Sequence, residues 1–181
     1  VAMALYTKDK ILTGLVFFAF LYLVIFGQWE SSMVTLSSII IAVPVGVIIG
    51  LLLGILSYKS EILEKIISPV LDLMQTVPVF AYLVPILVMF GFGPVSALIA
   101  TIIYSMPPMV RTTLLALKSI DPQIKECGLM SGCTDRQLMW KVLVPVSKPT
   151  LMVGANQVIM LSLNMVIIAS MIGAGGLGYD V

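Results

Sequence analysis

The chain contains no histidine, only two cysteines and few charged residues. Histidine is the commonest general acid–base group, so its absence argues against an enzyme. Cys127 and Cys133 cannot by themselves supply the four ligands of a usual zinc site, so we expect no bound metal. Only 10% of the residues are charged and 60% are hydrophobic, whereas a soluble domain has about 25% charged residues. This composition, with a mean hydropathy of +1.13, predicts an integral membrane protein.

Five stretches are apolar over a length that can cross a bilayer, which takes about 20 residues as a helix. They comprise residues 10–28, 34–58, 69–90, 95–117 and 150–172. We therefore expect an all-α, polytopic helical bundle with at least five transmembrane helices. The second stretch contains Gly46, Gly50 and Gly54, and small residues every four positions favour a packing seam within one subunit. The chain starts without methionine and stops just after a glycine-rich turn, so we expect both ends to be incomplete.

The positive charges all fall on one side of these five stretches. If the N-terminus is cytoplasmic, the outer connections contain no lysine or arginine. Arg111 lies in the inner third of the fourth stretch, where its side chain can snorkel to the same side. The positive-inside rule therefore predicts a multi-pass protein with a cytoplasmic N-terminus and a cytoplasmic loop before the fifth stretch. The other basic residues on the inner side are Lys8, Lys10, Lys59, Lys65, Lys118, Lys125, Arg136, Lys141 and Lys148.

The loop before the fifth stretch, residues 121–149, carries signals for two short helices. Asp121 is a good N-cap for the first helix, and Gly132 stands where a left-handed residue would end it. Thr134 and Gln137 form the capping-box pattern that opens the second helix, which Pro145 is expected to stop. Spacing of i, i+3, i+4 and i+7 on the first helix gives a face of mostly small side chains that another backbone can approach. Its members are Ile124, Cys127, Gly128 and Ser131.

Part of this loop resembles the EAA loop of bacterial ABC-importer permeases. That pattern reads E-A-A, three residues, G, nine residues and I-x-L-P. The corresponding residues here are Glu126, Cys127, Gly128, Gly132, Val142, Val144 and Pro145. Two small residues replace the alanines, and valines replace Ile and Leu. The resemblance implies that residues 119–149 form coupling helices that dock into a groove on an ATP-hydrolysing subunit, although the pattern alone also fits an ordinary amphipathic connection between membrane helices.

The resemblance extends over most of the chain from about Ser31 onward, to permeases that import glycine betaine, proline betaine and choline. The matching segments are DLMQTVPVFAYLVP at 72–85, FGFG at 90–93, MPPMVR at 106–111, NQVIMLSLNMVIIASMI at 156–172 and GGLG at 175–178. It divides the chain into residues 1–30, an N-terminal region with the first transmembrane helix, and residues 31–181, a permease domain of the MetI-like type I fold. It implies passage of a small zwitterionic or quaternary-ammonium osmolyte from a binding protein to the cytoplasm.

The resemblance also implies an assembly in the bacterial cytoplasmic (inner) membrane. Two permease copies would form the pore as a homodimer surrounded by lipid. Two ATPase subunits would carry ATP and magnesium, and a periplasmic or lipid-anchored binding protein would deliver the solute. We expect no cofactor and no nucleic acid on this chain, which has no phosphate-binding G-x-x-x-x-G-K-[ST] loop. Two alternatives stay open: a permease for methionine or another amino acid, and an ATP-independent channel or carrier.

Polar side chains within the apolar stretches are candidates for lining a pathway or for hydrogen bonds between helices. On the fifth stretch Asn156, Met160 and Asn164 follow i, i+4, i+8 spacing with Gln157 beside them, and weaker candidates are Gln75 and Tyr104. Asp72 and Arg111 stand at similar depths on adjacent helices, and we expect a structural ion pair. Both tryptophans fall outside the stretches, so no aromatic cage is visible and solute selectivity is expected in the binding protein.

Residues 173–178 read G-A-G-G-L-G and match the G-x-G-x-x-G pattern of dinucleotide sites. That motif needs a strand before it and a helix N-terminus after it to hold a pyrophosphate. Here it follows a transmembrane stretch. We therefore reject the nucleotide interpretation and expect a flexible turn on the outer side.

Overall fold

The computed structural model describes residues 10–180, and each regular element in that range is helical. In chain order the helices are α1 (Lys10–Ile25), α2 (Trp29–Lys59), α3 (Glu61–Thr76), α4 (Val79–Phe90), α5 (Pro94–Lys118), α6 (Pro122–Met130), α7 (residues 135–146), α8 (Lys148–Ala169) and α9 (Leu177–Asp180). α7 joins Asp135–Gln137, the π-helical Leu138–Leu143 and Val144–Val146, and a second π-helical turn, Ser170–Ala174, extends α8. The all-α prediction is confirmed for this range. The expectation that Lys8 lies on the cytoplasmic side concerns a residue outside the described range.

Three helices are long and apolar enough to span a bilayer, namely α2 with 31 residues, α5 with 25 and α8 with 22. α3 and α4 are long and apolar enough to span a bilayer only when they are taken together, and the chain bends by 99° at their junction. α1 has 16 residues, or about 24 Å at 1.5 Å per residue, which is short of a hydrocarbon core of about 30 Å. The described residues therefore hold three candidate spans, or four with the bent pair, rather than the five predicted.

The bend between α3 and α4 follows from proline chemistry. Proline disfavours the helical backbone at the residue before it, and Val77 is extended there, with φ −74° and ψ 131°. The Tyr82 hydroxyl donates a hydrogen bond across the bend to the carbonyl of Met74, near the helix end that leaves carbonyls unpaired. The apolar stretch predicted over residues 69–90 is therefore a single span only as a bent pair, because helix already begins at Glu61 and Pro78 then redirects the chain.

α2 and α5 pack with their backbones in close approach. The glycines predicted to form a packing seam, Gly46, Gly50 and Gly54, are all buried on the face of α2 that meets α5. A Cβ atom added at Gly50 would lie 2.6 Å from Met109 Cβ, and one at Gly54 would lie 2.5 Å from Thr113 Cβ. Any side chain at these two positions would force the helices apart, so the prediction of a seam within one chain is confirmed.

α8 packs antiparallel against α5 and completes the core. At one end of the pair, Ala100 of α5 shares a buried cluster with Met165 of α8 and Leu83 of α4. At the other end, a Cβ atom at Gly154 of α8 would lie 3.0 Å from Thr112 Cβ of α5. The early part of α5 thus meets the late part of α8, which places both helices beside the bend between α3 and α4.

The glycine-rich turn after α8 is packed against the bundle. Gly176 is buried beside α2, where an added Cβ atom would come within 2.6 Å of Thr35 Oγ1. The amide of Leu177 donates a hydrogen bond to the same hydroxyl at 3.0 Å. A Cβ atom at Gly178 would overlap Ser170 Oγ. The expectation of a flexible turn was therefore wrong, because these glycines serve close packing against α2 and α8.

Replacing Gly54 by alanine should destabilise the protein by about 1–3 kcal/mol, because the added methyl group overpacks the α2–α5 seam. The matched control is Gly14→Ala, since a Cβ atom at Gly14 meets nothing within 4 Å and glycine-to-alanine changes inside helices otherwise stabilise by about 0.5–1 kcal/mol. Thermal unfolding of each purified variant in detergent measures the two changes in stability. Equal midpoints for the two variants would contradict the account of the seam.

Candidate functional site

The connection between α5 and α8 folds into α6 and α7, whose starts are set by the predicted capping residues. The Asp121 carboxylate accepts a hydrogen bond from the amide of Gln123 at 2.9 Å and caps α6. At the start of α7, Thr134 Oγ1 accepts from the amide of Gln137 at 3.4 Å, and Gln137 Oε1 accepts from the amide of Thr134 at 3.1 Å. This reciprocal pair is the predicted capping box.

α6 ends in a Schellman motif at Gly132. The φ angle of Gly132 is +78°, a left-handed conformation that glycine adopts without steric cost. The amide of Gly132 donates to the carbonyl of Leu129 at 3.0 Å, and the amide of Cys133 donates to the carbonyl of Gly128 at 3.3 Å. These are the two hydrogen bonds that define the motif. The chain reverses here, so that α7 folds back onto α6.

The small-residue face of α6 lies against α7. Gly128 is buried, and a Cβ atom there would lie 2.5 Å from Leu138 Cδ1. The same face borders a cleft of about 390 Å³ between the two helices. The residues that line this cleft are Gln123, Ile124, Cys127, Gly128, Ser131, Cys133 and Val142. The four residues predicted to form a small face therefore lie together, and they hold the two helices close.

α7 is attached to the transmembrane helices through one apolar face. Its residues Leu138, Met139 and Leu143 are buried in a cluster with Ile55 near the end of α2 and Leu117 near the end of α5. Burial of this face anchors the loop to two of the three long helices. A displacement of α7 therefore acts directly on the ends of α2 and α5.

The expectation that Pro145 stops the second helix was wrong. Helical residues continue through Val144–Val146, and the helix ends at Ser147. Proline has no N–H, so it removes one hydrogen bond from a regular helix. The residues just before it adopt wider π-helical bonding instead, in which the amide of Val144 donates to the carbonyl of Met139. This widening carries the chain past Pro145 and into α8.

Five exposed residues of the loop, which we call the loop face, are Glu126, Met130, Arg136, Trp140 and Lys141. Glu126 and Met130 lie one turn apart on α6, and Met130 is 87% exposed. The three α7 residues border a shallow groove together with Gln137. Met, Trp and Arg are enriched at protein interfaces, whereas Glu and Lys are depleted there. The exposed Met130, Arg136 and Trp140 are therefore candidates for contact with another protein.

A second cleft, of about 420 Å³, opens between α3, α5 and α8. Three of the predicted polar candidates, Gln75, Tyr104 and Gln157, line it together with Arg111. The other lining residues are Met74, Pro108, Thr112, Leu115 and Leu161. The structure thus brings together polar side chains from three helices that are far apart in the sequence.

Asn156, Met160 and Asn164 do not line this cleft. They are exposed on α8, on a different face from Gln157, because neighbouring residues of a helix point about 100° apart. The predicted group on the fifth stretch is therefore divided. Of its members, Gln157 alone joins Gln75 in the cleft.

Two ion pairs attach α3 to α5. Arg111 Nη2 contacts Asp72 Oδ1, and Lys118 Nζ lies 2.5 Å from Glu64 Oε1. Because residue numbers rise along α3 as they fall along α5, the two helices run antiparallel here. The expected contact between Asp72 and Arg111 is present, and their side chains are 62% and 42% exposed.

α3 packs on the bundle through a mixed face. Leu71 is its buried residue, Glu64 and Asp72 form ion pairs with α5, and Gln75 lines the cleft. On the opposite side the apolar residues Ile62, Ile66, Val70 and Leu73 are exposed at i, i+4, i+8 and i+11. A row of exposed apolar residues at this spacing suits a helix that has lipid on one side.

Tyr82 is a residue of the cleft region that sequence reasoning missed. Its ring packs edge-on against Tyr104, with ring centroids 5.8 Å apart. Its hydroxyl bonds the carbonyl of Met74, and Tyr104 and Met74 both line the cleft. The one sequence signal was the position of Tyr82 just after Pro78, since residues after a break can fold back onto the preceding helix.

Over residues 46–181 the chain matches the family described as "Binding-protein-dependent transport system inner membrane component". This range holds everything from the middle of α2 onward, so it includes the loop face and the cleft. The chain belongs to this family. As an inner-membrane transport component, it is a multi-pass membrane protein, in agreement with its apolar helices.

Three relatives extend the comparison. Over 92% of its own length, the chain is 45% identical to the trimethylamine N-oxide transport system permease protein TmoV of Pelagibacter ubique. Over 84% of this chain, it is 45% identical to the glycine betaine/proline betaine transport system permease protein ProW of Escherichia coli. Over 83% of this chain, it is 45% identical to the glycine betaine/carnitine transport permease protein GbuB of Listeria monocytogenes. The chain spans 24%, 43% and 53% of the lengths of these three relatives.

Solved structures confirm the fold of this inner-membrane component. An inward-facing structure of the MetNI methionine ABC transporter is similar with a TM-score of 0.73 at 26% identity, over 87% of this chain and 78% of that chain. An amino acid ABC transporter solved with histidines gives a TM-score of 0.70 at 22% identity, over 89% and 79%. The helical ABC permease fold expected from the sequence is therefore confirmed.

Replacing Gly132 by alanine should loosen the end of α6, because an alanine in the left-handed conformation costs about 1–2 kcal/mol. Gly132→Asn is the matched control, since asparagine tolerates this conformation better. No atom lies within 4 Å of an added Cβ, so a clash does not contribute. Amide hydrogen exchange at residues 128–134 should be faster in the alanine variant than in the asparagine variant. Exchange as slow as in the parent protein would contradict the assignment of the motif.

Proposed function

We propose that this chain is part of the permease subunit of an ATP-driven importer for a small zwitterionic or quaternary-ammonium osmolyte. The observation that carries the proposal is the attachment of the exposed loop face to the ends of α2 and α5. The names of the relatives as transport-system permeases support it. The chain is a transport subunit and not an enzyme. ATP and magnesium belong to a separate ATPase chain in this proposal, because the sequence has no phosphate-binding loop.

The packing offers a route by which the ATPase acts on the cleft. Leu138 and Leu143 of α7 pack with Leu117 of α5. Leu117 lies about two helical turns from Arg111, which lines the cleft. When the ATPase subunits close and move α7, the end of α5 moves with it. One wall of the cleft then shifts relative to α3 and α8, as in other transitions that move packed helices against each other.

The partners in this proposal complete the assembly. A second permease copy forms the pore with this one, and a periplasmic or lipid-anchored binding protein delivers the solute. The description of the family as binding-protein-dependent supports the binding protein. The exposed apolar residues of α1 and α2 are available for contact with lipid or with the second copy.

We place the loop of α6 and α7 in the cytoplasm of a bacterium, with the helices in its inner membrane. The N-terminus lies on the same side in this proposal, which requires α1 to cross the membrane as well. The loop end of the bundle carries Lys118, Lys125, Arg136, Lys141 and Lys148, whereas the turns at 26–28 and 91–93 carry no basic residue. Basic residues concentrate on the cytoplasmic side of membrane proteins. This distribution supports the proposed orientation.

The relatives narrow the class of solute. Their names include trimethylamine N-oxide, glycine betaine, proline betaine and carnitine, all small molecules with a substituted ammonium centre and a negatively charged oxygen. Identity to these permeases is 45%. It is 26% to the methionine transporter and 22% to the amino acid transporter. An osmolyte is therefore favoured over methionine or another amino acid.

Changing Glu126 to lysine should uncouple ATP hydrolysis from transport, because it reverses a charge on the loop face and like charges at an interface repel. We expect ATP-driven uptake of glycine betaine, measured in vesicles that hold the complete complex, to fall by roughly tenfold or more. The matched control is Glu61→Lys, the same change at another exposed glutamate near the same end of the bundle, which should retain uptake. Normal uptake by the Glu126 variant, at equal protein amounts, would rule out the docking role.

A further inference from the structure

Arg111, Tyr104, Gln75 and Gln157 line the cleft between α3, α5 and α8. Beside the cleft, Asp72 contacts Arg111 and Tyr82 packs against Tyr104. We propose that the cleft is a transit site that binds a small zwitterion by charge exchange with Asp72 and Arg111. The negatively charged oxygen of the solute replaces Asp72 on Arg111, and the ammonium end lies between Asp72 and Tyr104. This inference rests on the proposed function and adds a solute-binding site within the permease, which acts after the binding protein has delivered the solute.

Arg111 is suited to receive the negatively charged oxygen. It is the cationic side chain among the residues that line the cleft. A guanidinium has five N–H donors in a planar fork that matches a carboxylate, whereas the contact with Asp72 engages one nitrogen, Nη2. Gln75 and Gln157, on the other two helices, line the same cleft and their amides can donate further hydrogen bonds.

The ammonium end needs partners that do not depend on hydrogen bonds, because a quaternary ammonium group has no N–H. Aromatic faces and carboxylates are such partners. Tyr104 lines the cleft, and Tyr82 supports it edge-on with ring centroids 5.8 Å apart. The hydroxyl bond from Tyr82 to the carbonyl of Met74 holds this aromatic pair at the bend. Asp72, once released by Arg111, supplies the negative charge.

Charge exchange selects zwitterions by electrostatics. The side chains of Asp72 and Arg111 are 62% and 42% exposed, and ion pairs exposed in this way are weakly held and exchange readily. A zwitterion supplies a new partner for each of the two side chains. A simple cation would offer Arg111 no replacement for Asp72 and would therefore compete with Arg111 for that carboxylate. The cleft volume of about 420 Å³ falls within the range of small-molecule sites, about 300–1,000 Å³.

The chain provides an internal control for this site. Glu64 and Lys118 form the second ion pair between α3 and α5, and neither residue lines the cleft. If the ion pairs only clamp the two helices together, breaking either pair should change solute binding to a similar extent. If the cleft binds solute, only the loss of Arg111 affects binding.

Saturation-transfer NMR of the methyl protons of glycine betaine, with the complete complex in detergent and no binding protein, tests the site. Choline serves as the second probe, since it has the ammonium group without the carboxylate. We expect the parent complex to bind glycine betaine, and Arg111→Gln to weaken that binding by roughly tenfold. Choline should bind weakly to the parent complex and to the Arg111→Gln variant. The Lys118→Gln variant should bind glycine betaine as the parent complex does.

The double variant Asp72→Arg with Arg111→Asp separates a binding role from a clamp. Exchange of the two charges restores an ion pair between α3 and α5, so the thermal midpoint should recover towards that of the parent complex. The guanidinium that would bind the carboxylate of glycine betaine then stands on α3 instead of α5, so binding of glycine betaine should stay lost. Recovery of binding together with stability, or unchanged binding in Arg111→Gln, would overturn the transit site.

ATP-driven uptake with the binding protein present distinguishes this inference from the proposed function. We expect Arg111→Gln to lower the maximal rate of glycine betaine uptake, with little change in KM because the binding protein captures the solute. Uptake by the parent complex together with an unchanged maximal rate in Arg111→Gln would overturn the transit site alone. No ATP-driven uptake by the parent complex would overturn the proposed function and, with it, this inference.

Discussion

The close approach of α2 and α5 is the constraint on which the rest of the bundle depends. In lipid the hydrophobic effect does not hold helices together, so direct packing has to supply the attraction. Gly50 and Gly54 allow α2 to meet Met109 and Thr113 without an intervening side chain. The hydroxyl of Thr113, which is fully buried at this contact, donates to the carbonyl of Met109 at 2.7 Å. The seam therefore positions α5 without leaving that hydroxyl unpaired.

α5 connects the loop face with the cleft. At its end, Leu117 packs with the buried face of α7, which holds the loop face in position. About two turns earlier, Arg111 faces the cleft and contacts Asp72 of α3. α3 supplies Asp72 to this contact and Gln75 to the cleft, and its opposite side exposes apolar residues. A motion imposed on the loop by a partner thus reaches the polar cleft through a single packed helix.

Local features were predictable from the sequence because each depends on a few neighbouring residues, as the caps at Asp121 and Thr134 and the turn at Gly132 show. Features that depend on contacts between distant segments were not. Average hydropathy records how apolar a segment is but not its direction, so it merged residues 69–90 across the bend at Pro78. Helical spacing shows which residues share a face but not which face meets other helices, and so it did not show that Gln157 lines the cleft and Asn156 does not.

In the proposed mechanism, ATP hydrolysed by a partner drives solute through this permease. The decisive measurement is uptake of radiolabelled glycine betaine, choline and trimethylamine N-oxide into vesicles that hold the complete complex, with and without ATP on the ATPase side. We expect at least one of the three solutes to accumulate against its gradient only when ATP is present. Uptake that is equal without ATP would exclude an ATP-driven importer and indicate a gradient-driven carrier.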